Sequence, residues 1–163
     1  MKILFIGGVK SGKSKLAEEY LLSHFSKPFY LATTELFDDE MISRIQCHKM
    51  QRKDFFETIE EPLNLLNVLT KCNRPVLVEC VTMWLNNALF HQKTEAEILS
   101  ELTAVMALPN DLVLVQNEIG MGVIPDNVLA RQFVDLSGKA SQIMAQACDN
   151  VFFCSAGLAL KMK

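Results

Sequence analysis

The chain has 163 residues, half of them hydrophobic, with a formal net charge of -3 and a sequence pI near 5.6. That length suits one domain with one sizeable core, and the near-balanced charge lacks the basic footprint through which proteins grip nucleic-acid phosphates. Cys47, Cys72, Cys80, Cys148 and Cys154 form no CxxC pair and no histidine stands at finger spacing, which argues against a zinc finger or a secreted disulfide frame and fits reduced thiols in a cytoplasm. The opening MKILFIGG is too short an apolar run for a signal-peptide core, and no run approaches the roughly 18 apolar residues of a membrane span. A soluble, cytoplasmic protein that acts on small molecules is expected.

The first predicted strand, KILFI at 2–6, runs into GGVKSGKS, Gly7 to Ser14, and then into SKLAEEYLLSHF at 14–25, a helical pattern with Leu16, Tyr20 and Leu21 on one stripe. Strand, G-x-x-x-x-G-K-S and helix in that order make a phosphate loop. Its glycines let the chain curl until successive N–H groups point at phosphate oxygens, and the helix adds its positive end. Gly7, Gly8, Val9, Lys10, Ser11, Gly12, Lys13 and Ser14 are all expected to bind nucleotide. Lys13 would neutralise the β and γ phosphates during transfer, and the Ser14 hydroxyl would ligate Mg2+.

A second strand, PFYLAT at 28–33, leads to a predicted helix, DDEMISRIQCHKMQR at 38–52, with Asp38 or Asp39 as N-cap and Met41, Ile42 and Ile45 as apolar positions. Arg44, His48 and Arg52 follow there at i, i+4 and i+8. Such a stripe suits a phosphate-contacting face, and an imidazole between two guanidinium groups is biased toward its neutral, nucleophilic form. A solvated basic helix face explains the same residues, and local sequence alone favours it, because Met41 and Ile45 share that side.

PLNLLNVLTKC at 62–72 starts on Pro62, suited to a first helical turn. The strand PVLVECV at 75–81 carries Glu79 near its end. A carboxylate at that edge of the sheet either holds the magnesium shell beside the phosphate loop or caps the next helix near Trp84. DLVLVQNE at 111–118 is a further strand, opening onto the loop NEIGMGVIP, where Asn117 and Glu118 either meet substrate or cap the following helix. Glu118 stands where the guanine-reading Asn-Lys-x-Asp motif needs lysine, which argues against a signalling GTPase. A long helix at 127–148, with an interruption expected near Gly138, precedes a last strand, NVFFCSA at 150–156.

Continuous rather than alternating apolarity marks strands buried on both faces, as in a parallel sheet, and their alternation with helices means an α/β fold with right-handed crossovers. The expectation is one P-loop NTPase-like α/β domain over 1–163, a mostly parallel sheet flanked by helices.

In chain order, ILFIGGVKSGKS, YLATTELFDDEMISRIQCHKMQR, FETIEEP, VLVECVTMWLNNAL, QNEIGMGVIPDNVLARQFVDLSGKASQIMAQACDNVFF and AGLALKMK resemble the bifunctional adenosylcobinamide kinase / adenosylcobinamide-phosphate guanylyltransferase family of cobalamin biosynthesis. The resemblance runs nearly end to end. It implies phosphorylation of the aminopropanol hydroxyl of adenosylcobinamide by a nucleoside triphosphate, then transfer of GMP from GTP onto the new phosphate through a guanylylated histidine. His48, four residues after Arg44 in an R-I-x-x-H pattern, is the residue that carries this role over.

The same resemblance implies nucleotide contacts at Ala32, Thr33, Thr34, Lys49, Met50, Gln51, Arg52, Glu60 and Glu79, with Ser14 and Glu79 toward Mg2+. Lys49 and Arg52 can offset triphosphate charge, and Glu60 is a candidate acceptor for a guanine N–H edge. GTP, with ATP as the other candidate phosphate donor, a corrinoid substrate and a homotrimer are also implied. Lys10, Phe56, Val134 and Ser141 depart from the family's arginine, tryptophan, arginine and asparagine, and the stretch from Leu89 to Leu112 is short for the family. Two rival readings use the same residues: a single-activity kinase of another small alcohol, with His48 only a phosphate contact, and a nucleotide-binding regulatory module without turnover.

Overall fold

The computed structural model describes residues 1–35 and 54–163. Seven strands form one sheet in the order β3-β2-β4-β5-β1-β6-β7. They are β1 (Lys2–Gly7), β2 (Phe29–Ala32), β3 (Glu57–Glu60), β4 (Val76–Glu79), β5 (Leu112–Asn117), β6 (Asn150–Ser155) and β7 (Leu158–Lys161). All pair in parallel except β6 with β7, which are antiparallel. The described helices are α1 (Lys13–His24), α2 (Leu65–Leu69), α3 (Val81–Phe90), α4 (Glu95–Ala107) and α5 (Val128–Ala147).

Alternation along β1 assigns its side chains to two cores. Leu4 and Ile6 join Leu31, Val78, Leu114 and the buried residues of α2, α3, α4 and α5. Ile3 and Phe5 face the other way, toward Ala17 and Leu21 of α1, Tyr30 and Phe56. Burial of both faces is why these strands read as unbroken apolar runs.

Several boundaries differ from the expectations. The helix expected at 62–72 is confined to Leu65–Leu69, because the Glu61 carboxylate accepts from the N–H groups of Leu63 and Asn64, both at 2.9 Å, and holds Pro62 in a turn before it. The strand expected to reach 81 ends at Glu79, since Val81 already belongs to α3. No interruption occurs at Gly138: α5 is continuous over 20 residues. Leu136, Ala140 and Met144 anchor it to the core on either side, and that burial outweighs the roughly 1 kcal/mol a helical glycine costs. β3, α4 and β7 were not among the expected elements, whereas α3 is the helix expected near Trp84. The helix expected at 38–52 lies outside the described residues.

Candidate active site

The parallel strands end along one edge, and register fixes who meets there. Ala32 of β2 pairs with Glu60 of β3 on one side and Glu79 of β4 on the other. Gly7 of β1 pairs with Asn117 of β5 and Cys154 of β6. Glu60 and Glu79 are therefore two strands apart, about 10 Å, too far to share one small cation.

From Gly7 the chain turns through the phosphate loop. Gly12 sits at φ 91°, in the left-handed region, and caps α1 with no side-chain hydrogen bond. No acidic residue occupies the first turn. The helix therefore presents open N–H groups and a positive dipole end, the arrangement that receives an anion. Lys13 is buried and its Nζ donates to Gly8 O at 3.1 Å, so its ammonium lies over the loop's own curl. Ser11 is also buried, and its Oγ has no hydrogen-bond partner among the described residues, a donor that a phosphate oxygen would satisfy. Val9 and Lys10 project outward, Lys10 at φ 60°.

The loop rests on the β6–β7 hairpin. Ala156 and Gly157 both have positive φ, as a two-residue hairpin turn requires, and the Gly157 N–H donates to Ser11 O at 2.9 Å. A methyl group on Gly7 would lie 2.2 Å from Cys154 O, and one on Gly12 would lie 2.9 Å from Gly157 Cα. These two glycines are thus demanded by close backbone approach as well as by curl.

Ser14 Oγ donates to Glu79 Oε1 at 2.8 Å, which joins the start of α1 to the end of β4. A hydroxyl and a carboxylate are hard oxygen donors, the set magnesium takes from a protein. Among the described residues no group of three or more His, Cys, Asp or Glu side chains could cage a metal ion. Magnesium needs none, being held by one or two protein oxygens together with phosphates and water. The pair fits that ion.

Beside Glu79, burial and then the Glu79 charge push the Cys80 thiol up to about 11; burial also raises Cys154, against the opposing pull of Lys13. Neither sulfur is a ready nucleophile at neutral pH. The Glu79–Cys80 peptide is cis. Thr33 is fully buried, and its hydroxyl donates to Cys80 O at 2.7 Å while accepting from Cys80 N–H at 2.9 Å. At the end of β5 the Asn117 N–H donates to Thr82 Oγ1 at 2.7 Å, and just beyond it the Glu118 N–H donates to Gly7 O at 2.9 Å. Glu118 turns its carboxylate onto the Gly120 N–H at 2.5 Å.

A family model described as cobinamide kinase / cobinamide phosphate guanyltransferase matches residues 3–162. The chain belongs to this family. It is 38% identical over 169 residues to the bifunctional adenosylcobalamin biosynthesis protein CobP of Pseudomonas aeruginosa, covering all of this chain and 98% of that one. It is 36% identical over 182 residues to the bifunctional adenosylcobalamin biosynthesis protein CobU of Escherichia coli K12, covering both chains completely. Among solved structures, the flagellar accessory protein FlaH of Methanocaldococcus jannaschii superposes with a TM-score of 0.53 at 14% identity, covering 99% of this chain and 77% of that one. That likeness is one of fold alone.

Within the family frame, strand register sets Ala32, Glu60 and Glu79 along one edge, and the Ser14 hydroxyl ties the phosphate loop to Glu79. His48, Lys49, Met50, Gln51 and Arg52, like Arg44, lie outside the described residues. Asn87 was missed in the sequence. It is fully buried on α3, and its Nδ2 donates to Thr33 O at 2.7 Å and Pro62 O at 3.2 Å. Its one local signal was position: Asn87 stands three residues after Trp84, within a largely apolar helical segment.

Proposed function

We propose that this chain phosphorylates adenosylcobinamide with a nucleoside triphosphate and then transfers GMP from GTP to the product, giving adenosylcobinamide-GDP. The 2.8 Å contact between Ser14 Oγ and Glu79 Oε1, beside an uncapped helix start and the buried Lys13, supports phosphoryl chemistry at this edge. In the first reaction the substrate hydroxyl attacks the γ-phosphorus, its proton passes to solvent or a nearby base, and the bond to the β-phosphate oxygen breaks. Lys13, the loop N–H groups and the α1 dipole neutralise charge on the leaving diphosphate. Ser14 and Glu79 would hold magnesium, which when bound would supply positive charge against the triphosphate.

In the second reaction His48 attacks the α-phosphorus of GTP, a P–N bond forms and pyrophosphate leaves. A phosphate oxygen of adenosylcobinamide phosphate then attacks the same phosphorus, and the P–N bond breaks to return the imidazole. Division into two steps spares the enzyme a direct meeting of two anions. In this reading Lys49 and Arg52 supply cationic contacts, Ala32 and Thr34 border the nucleotide, and Glu60, on the outermost strand of that edge, accepts from the base. The carry-over from the family extends to a corrinoid substrate and a homotrimer.

Incubation with Mg2+ and GTP labelled at the α-phosphate tests the covalent step. An acid-labile, alkali-stable label is expected on the protein and is expected to vanish in His48→Ala. Wild-type protein that takes no label, or a variant labelled equally, overturns the histidine intermediate. Phosphorylation of cobinamide without any GMP transfer would leave a kinase alone.

A further inference from the structure

We propose that Thr33 is a positioning residue for magnesium-dependent nucleotide binding, clamping the backbone after Glu79 so that the carboxylate meets Ser14, with Asn87 holding Thr33 in turn. The inference rests on the reading of Ser14 and Glu79 as the magnesium side of the site. It reassigns Thr33 from a nucleotide contact to a residue acting through another.

Every polar group of Thr33 is engaged inside the protein. Its N–H donates to Glu79 O at 3.0 Å, and its carbonyl accepts from Asn87 Nδ2 at 2.7 Å. Its hydroxyl takes the Cys80 N–H at 2.9 Å and gives its proton to Cys80 O at 2.7 Å. With no exposed surface, the side chain is closed to a ligand. What it grips is the peptide link leaving Glu79, together with the next carbonyl.

The grip falls where the sheet can no longer supply one. Regular pairing of β2 with β4 stops at Ala32 and Glu79, because Cys80 turns the chain into α3. One residue further on, the threonine hydroxyl stands in for a backbone ladder, donor and acceptor at once. The direction in which Glu79 leaves the sheet is therefore set from the neighbouring strand, and it ends on the 2.8 Å contact with Ser14.

Asn87 secures the arrangement from α3. Its Nδ2 spans Thr33 O and Pro62 O, the exits of β2 and β3, while its Oδ1 is buried without a hydrogen-bond partner among the described residues. A leucine could fill the same apolar space with no unmet acceptor. What the amide adds is the pair of donor bonds across the two strand exits.

Residues that orient a metal-facing group typically change metal affinity by about 10–100-fold when altered. GTP affinity of the full chain, measured calorimetrically with Mg2+ and with EDTA, provides the test. Thr33→Val removes the hydroxyl at nearly constant shape, and is expected to cut the Mg2+-dependent gain in affinity by about tenfold or more. Affinity in EDTA is expected to stay at the wild-type level, and Thr33→Ser is expected to restore the gain. Should the valine variant not fold, Thr33→Ala, which leaves room for a water at the Cys80 N–H, takes the same two measurements. A hydroxyl-free variant that keeps the full Mg2+ gain, or loses affinity equally in EDTA, overturns the proposal. Glu79→Gln separates the two levels: if it retains the Mg2+ gain, the magnesium reading itself fails and takes the proposal with it, whereas loss in Glu79→Gln but not in Thr33→Val rejects the role of Thr33 alone.

Discussion

Gly7 and Gly8 are adjacent in the phosphate loop, yet their surroundings differ. A Cβ on Gly7 would overlap a main-chain carbonyl, Cys154 O, at 2.2 Å, whereas one on Gly8 meets nothing within 4 Å. Gly7→Ala must push β1 from β6 and is expected to lose about 1–3 kcal/mol, read as a lower urea midpoint. Gly8→Ala is expected to stay within about 0.5 kcal/mol of wild type by the same measurement. The sequence motif asks for Gly7, so that the chain can curl around phosphate, and leaves Gly8 at one of its free positions. At Gly7 a second reason, a neighbouring strand, is visible only in the fold. Thr33 teaches the same lesson: its threonine was legible, but the two bonds to Cys80 come from a residue 47 positions away in sequence.

Among the elements, legibility followed burial and punctuation. β1, β2, β4, β5 and β6 were readable because both faces are covered and turn residues bracket them. β3, with the sequence ETIE, and β7 lie at the sheet's two margins, where one side has no strand and apolar runs are not required. The start of α3 was hidden because VLVECVTMWL passes from strand to helix with no glycine or proline between. α4 had a signal that went unread. Thr94 and Glu97 form a reciprocal capping box, with the Thr94 N–H donating to Glu97 Oε2 at 2.7 Å and the Glu97 N–H to Thr94 Oγ1 at 3.3 Å. Thr94→Ala is expected to destabilise the protein by about 1 kcal/mol in urea denaturation, while Thr94→Ser should be close to neutral.

At the scale of the whole molecule, one sheet carries both cores, so neither can open without the other. Urea unfolding followed by fluorescence of Trp84, the single tryptophan, and by far-ultraviolet circular dichroism should give coincident transitions; separated transitions would show more than one folding unit. Alkaline pH should weaken the fold in a defined window. Burial pushes the Cys148 thiol from 9.0 up to about 12. Below pH 9 the thiol is protonated whether folded or unfolded and adds no slope. Above it the unfolded chain releases the proton while the folded chain keeps it, so stability falls by about 1.4 kcal/mol per pH unit until the folded thiol ionises. Cys80, raised to about 11, adds a like contribution, so Cys148→Ala is expected to reduce the slope without abolishing it in urea midpoints measured upward from pH 9.

The sequence by itself determined the phosphate loop, the parallel α/β class and the family. These depend on neighbours in the chain, on residue periodicity, and on the order of segments, all of which are one-dimensional properties. Only the tertiary structure decided that Glu79 reaches Ser14, that Glu60 stands two strands away from it, that the β6–β7 turn supports the phosphate loop, and that Thr33 and Asn87 tie three strand exits together. Strand order causes the difference. Parallel crossovers bring residues tens of positions apart to one edge of the sheet, and no local pattern records which of them will pair.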